Sequence, residues 1–160
     1  MVDWANSDDV EAMHSLLPDR SFDSELRLFC IACASRVLQF LPEPIFSEAI
    51  RHSTLFATAD CSDSELQQCV DRACALIDPH IDIPTVRDLA ASSVIDACSV
   101  FPPASAKVSA VVSCAAQAIA QFDAESAGDA QFDATFAASF AKETRTQCEL
   151  LRSHVPNSEN

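Results

Sequence analysis

A chain of 160 residues, 49% of them hydrophobic, is long enough to bury one substantial core and too apolar to be read as disordered. Its formal net charge of −14, from 24 acids against 10 Lys and Arg, disfavours contact with nucleic-acid phosphates or an anionic lipid surface. Gly128 is the single glycine, which excludes the phosphate-cradling GxxxxGKS/T and GxGxxG loops and the GxSxG nucleophile elbow, since each needs several.

Alanine abounds where a sheet would carry β-branched residues, and tight hairpins lean on glycine, so the expected fold is all-α. Prolines divide the chain into helix-length segments. Ser7 to Leu17 reads as a short first helix capped by Ser7, with Asp8, Asp9 and Glu11 at the positive end of its dipole. Trp4, just before it, is expected to pack onto the domain.

The next segment, Ser24 to Leu41, is the one around which the rest is expected to wrap. Leu26, Phe29, Cys30, Cys33, Val37, Phe40 and Leu41 follow the three- and four-residue steps of one helix face. Leu28, Ile31, Ala32 and Leu38 add apolar surface elsewhere, and a helix so apolar is covered on several sides. Ser21 is placed to cap it, and Asp23 stands four residues before Arg27, a favourable pairing.

A third helix runs from Pro44 to about Ala59, with Ile45, Phe46, Ala49, Ile50 and Phe56 inward. Ser62 and Glu65 form a capping box that opens a fourth, ending near Asp78 with Cys69, Val70, Ala73, Leu76 and Ile77 inside. The fifth spans Pro84 to about Val100, burying Val86, Leu89, Ala90, Val94 and Ala97. The sixth, Ser105 to Phe122, is rich in Ala and Ser and is placed inside the bundle. A seventh follows the break at Ser126–Asp129 and continues to about His154. The sequence thus predicts one bundle of six to seven helices over residues 1–155, with a frayed tail at 156–160. AQFDA occurs at 120–124 and again at 130–134; ten residues is not a whole number of turns, so one continuous helix would not present both copies on one face.

The acidic start, with no basic-then-apolar leader, and the absence of a ~20-residue apolar span predict a cytoplasmic protein that does not enter the membrane. Eight cysteines in such a chain are expected to stay reduced. Cys30-x-x-Cys33 is the pair with most chemical potential. It reads as core packing, as half of a zinc site completed by Cys61, Cys69, Cys74, His52 or His80, or as a redox pair. It lies about two turns inside a helix, where the dipole that would acidify a thiol has faded, and no second close ligand pair exists, so packing is the leading reading. His80, beside Asp78 and Asp82, reads as an exposed turn residue. Arg27 and Arg36 flank the buried stripe and must either snorkel outward or meet a partner. The structural reading has them clamp neighbouring helices through Asp or Glu; the functional one has them bind an anion.

The segment LRLFCIACASRVLQFL, Leu26 to Leu41, resembles a motif of the form LRLFACACCRRIWHLL found in uncharacterised, alanine-rich helical proteins of planctomycete bacteria. The likeness extends to Asp3-Trp4 with Ser7-Asp8-Asp9, to Phe46–Leu66 and to Gln147–Arg152. Ala34-Ser35 replaces the family's frequent Cys-Arg, and the GNPF ending is missing. The resemblance implies a helical domain, marks Leu26, Arg27, Phe29, Cys30, Cys33 and Arg36 as motif positions, and supplies no catalytic residue. The expected function is a non-catalytic protein-interaction or regulatory module, with no cofactor, whose acidic face meets a protein partner. The alternative is a metal- or thiol-dependent protein using Cys30 and Cys33.

Overall fold

The computed structural model describes residues 4–17, 22–78 and 82–155. Ser21, His80 and the tail 156–160, which carry three of the expectations above, lie outside the described residues, as does Asp3 of the opening motif. Among the described residues there are seven α-helices and no strand: α1 Val10–His14, α2 Asp23–Ser35, α3 Pro44–Ala57, α4 Asp63–Cys74, α5 Val86–Cys98, α6 Val108–Ala127 and α7 Phe132–His154. This is the expected all-α bundle. α2 packs against α3, α5, α6 and α7 at once, and α5–α6 and α6–α7 form the most extensive helix pairs.

Several boundaries differ from expectation, each for a local reason. The central helix does not run to Leu41. It ends at Ser35, where Arg36 and Val37 turn their N–H groups to the carbonyls of Cys33 and Ala34, and a 3-10 turn follows at Leu38–Phe40. Leu41 and Glu43 are extended, the backbone that a following proline imposes at Pro42 and Pro44. Val37 and Leu41 stay buried by this route, while Phe40 swings out to meet Phe122.

α1 is shorter than Ser7–Leu17 and is capped by Asp9, whose Oδ1 accepts from the Ala12 N–H at 3.0 Å. Ser7 braces that cap, its Oγ taking the Asp9 N–H at 3.2 Å. The Ser62–Glu65 box opens α4 as expected. The helix stops at Cys74, and the three-residue turns after it leave Leu76 43% exposed rather than inside. α5 begins after Pro84, on a second capping box that joins Thr85 to Asp88, and ends at Cys98. Ser105 belongs to a 3-10 turn at Ala104–Ala106, so α6 starts at Val108; it continues past Phe122 to Ala127 because no breaker precedes Gly128. Gly128 has φ +83°, a backbone that favours glycine.

Met13, Phe29, Cys33, Val37, Phe46, Leu66, Val94, Val111, Cys148 and Leu151 are fully buried, and each of the larger ones is stabilised by roughly 1.5–3 kcal/mol on leaving water. Ala90 and Ala91 on α5 and Ala115, Ala118, Ala120 and Ala124 on α6 are buried as well, so small side chains bring these helices close. Polar side chains inside the bundle are satisfied across helices: Ser93 Oγ donates to the Val111 carbonyl and Gln147 Nε2 to the Val112 carbonyl, both at 3.0 Å. Trp4 is buried against the same core. Among the described residues no helix is long and apolar enough to cross a membrane.

Candidate functional site

The motif residues of α2 divide into three groups. Leu26, Phe29, Cys30 and Cys33 are buried in the core. Arg36 reaches across the bundle to α7, where Nε and Nη2 donate to the two carboxylate oxygens of Glu143, each at 2.7 Å. Glu143 is 3% exposed, and the fork-to-carboxylate match is the geometry in which a guanidinium bonds best. This is the helix clamp expected of the two arginines. Arg27 is placed differently. It is 3% exposed, its Nη1 donates to the Ser99 carbonyl at 3.2 Å, and its guanidinium lies 4.8 Å from the centre of the Phe56 ring. Its charge is met by a carbonyl and an aromatic face rather than by a carboxylate. Asp23, expected to pair with Arg27, accepts the Ala104 N–H on its Oδ1 at 2.8 Å and so ties the start of α2 to the 3-10 turn before α6.

The thiols behave as core atoms. Burial pushes Cys30 and Cys98 up to about 12 and Cys33 well above its ordinary value. A thiol held in its protonated form is a poor nucleophile. Cys69 is buried and Cys74 exposed, so the two face different ways. Among the described residues no group of three or more His, Cys, Asp or Glu side chains is arranged to hold a metal ion.

Among the described residues Cys61 and His52 form a thiol–imidazole pair, with Sγ 3.7 Å from Nδ1. Arg51 Nη2 stands 2.7 Å from His52 Nε2. A guanidinium can only donate, so Nε2 is the acceptor and Nδ1 of the neutral ring carries the proton. The nitrogen facing the sulfur therefore has no lone pair to take the thiol proton. Desolvation raises the Cys61 thiol further. The pair lacks the acceptor that an activated nucleophile requires.

Two surface features bear on binding. The first is a cavity of about 390 Å³ bounded by Arg27, Phe56, Val100 and Phe101, with Asp23, Asp63 and Pro103 completing it. Phe101 is 77% exposed. The walls come from the start of α2, the end of α3, the start of α4 and the segment after α5, so only the fold brings them together.

The second is the distal half of the α6–α7 hairpin. From Phe132 to Lys142 no residue of α7 is buried. Phe132, Phe136 and Phe140 stack along it with ring centres 6.2 and 6.1 Å apart. On α6, Phe122 is 46% exposed and lies 4.9 Å from the Phe40 ring. The AQFDA echo is thereby resolved: its two copies sit on the two arms of the hairpin, either side of Gly128. Asp123, Glu125, Asp129 and Asp133 are exposed on the same half of the hairpin, and no Lys, Arg or His occurs between Lys107 and Lys142.

No known protein family matches this chain, and neither a curated protein nor a solved structure does.

Proposed function

We propose that this protein is a non-catalytic, cytoplasmic interaction module that holds a basic, amphipathic helical segment of a partner protein against its α6–α7 hairpin. The observation that carries the reading is the coincidence, on one half-covered hairpin, of stacked phenyl rings with exposed carboxylates and no cation between Lys107 and Lys142. Aromatic residues are the side chains that anchor interfaces, and a uniform negative rim selects a positive partner and speeds its encounter. Kinship with the planctomycete proteins that share the Leu26–Leu41 motif is part of the same proposal. The buried state of Cys30 and Cys33 lends no support to the thiol alternative.

The test uses a fluorescent synthetic helix with Leu at helical i, i+3, i+4 and i+7 positions and Lys elsewhere, followed by anisotropy against the full chain. A counterpart with Glu for Lys serves as control. Binding of the Lys peptide should fall as salt rises, and should be lost when Asp129 and Asp133 become Lys or Phe122 becomes Asp. Charge reversal at Asp60 and Asp63, far along the chain on the α3–α4 side, should leave most of it. Equal binding by the hairpin variants, or equal binding of the Glu peptide, would overturn the reading.

A further inference from the structure

We infer that the cavity beside Arg27 is a binding site for an amphiphilic primary amine, an apolar or aromatic body carrying one ammonium group. Its volume of about 390 Å³ is more than twice the ~150 Å³ that accepts a benzene-sized ring. Phe56, Val100, Phe101 and Pro103 offer apolar walls. Phe101 holds its ring 77% exposed at the edge of this space, where an apolar guest would cover it.

Charge then selects the class of ligand. The lining carries two carboxylates against one guanidinium. That guanidinium is already engaged, on one side by the Ser99 carbonyl and on the other by the Phe56 ring. Asp23 spends one oxygen on the Ala104 N–H, and Asp63, in the exposed first turn of α4, marks the mouth. An organic anion would have to approach past both carboxylates of a chain at −14. A cation entering ring first meets apolar walls inside, keeps away from Arg27, and leaves its ammonium beside Asp63. Such an ammonium belongs either to a free arylalkylamine or to the first residue of a peptide. The inference is independent of the hairpin reading, which concerns the opposite end of α6.

The experiment is a titration of the full, isotopically labelled chain with phenethylamine, monitored through backbone amide resonances. A ligand of this size is expected to saturate in the millimolar range, below about 10 mM. Shifts should centre on Asp23, Phe56, Asp63 and Phe101, and 3-phenylpropionate should bind at least several-fold more weakly. Asp63→Asn should weaken the amine by about threefold, the size of an exposed ion pair, without weakening the anion. A peptide beginning with Phe that binds more tightly than phenethylamine, and loses this on N-acetylation, assigns the site to chain termini; the reverse order assigns it to free amines. Unsaturable or scattered shifts, or the carboxylate binding as well as the amine, would overturn the inference.

Discussion

The two ends of the α6–α7 hairpin share the same helices and are built on opposite terms. Near α2 the hairpin is covered on several sides: Val111, Ala115 and Ala118 of α6 and Cys148 and Leu151 of α7 have almost no exposure, and polar side chains there find partners across helices. Beyond Glu143 toward Gly128 the third layer is missing. Rings stack on one another instead of disappearing into a core, and every charged side chain between Gly128 and Lys142 is a carboxylate. Packing has removed freedom from the first region, where side-chain volume decides stability. In the second, phenyl groups cost little to change and remain available to another molecule.

That contrast is broken or sharpened most strongly by truncating rings in each region. Phe29→Ala empties a fully buried site and should lower unfolding free energy by about 3–5 kcal/mol, read from urea denaturation. Phe136→Ala, on the half-buried ladder, should cost only about 1 kcal/mol. Equal losses would mean the hairpin tip is as much core as α2 is.

The next effect concerns the clamp between regions. Arg36→Met leaves the Glu143 carboxylate buried without its partner and should cost about 3 kcal/mol, toward the low end for a broken buried pair because Arg36 itself is 40% exposed. Glu143→Gln in the same background should recover part of it; no recovery would show that the ion pair does not hold α2 to α7.

A further effect is on pH dependence. Cys30 and Cys98 ionise near 9.0 when unfolded but are held to about 12 in the fold. Above pH 9 the unfolded chain releases protons that the native one retains, so stability falls as pH rises between these values. Each thiol contributes up to about 1.4 kcal/mol per pH unit. Thermal unfolding from pH 8 to 11 should show this decline, and Cys30→Ala should flatten it. A slope unchanged by the substitution would place the alkaline sensitivity elsewhere.

Much of the bundle was legible because its signals are local. Ser62 and Glu65 announce a helix start within four residues, and Gly128 announces a break by itself. The Thr85–Asp88 box gives a weaker signal because its acid is Asp rather than Glu. The end of α2 is hidden for a different reason: Val37, Phe40 and Leu41 keep helical spacing through a 3-10 turn, and no glycine marks the change. Arg27 was read as one of a pair with Arg36, yet its partners are a carbonyl at Ser99 and a ring at Phe56. Neither carries a charge that a pattern search would match to an arginine. The cavity was invisible in the same way, since its walls are drawn from residues 23 to 103 and no stretch of sequence contains two sides of it.

The placement of α2 has a consequence for synthesis. The helix is near the start of the chain, but α5, α6 and α7 cover much of it, and the Arg36–Glu143 contact spans 107 residues. At ~5–20 residues per second, a ribosome needs about 5–20 s to add that stretch. Throughout that interval Leu26, Phe29, Cys30 and Cys33 form an apolar stripe on a nascent chain whose later helices do not yet exist. The bundle therefore reaches its native packing only once α7 has been made, and α2 waits for much of its cover until then.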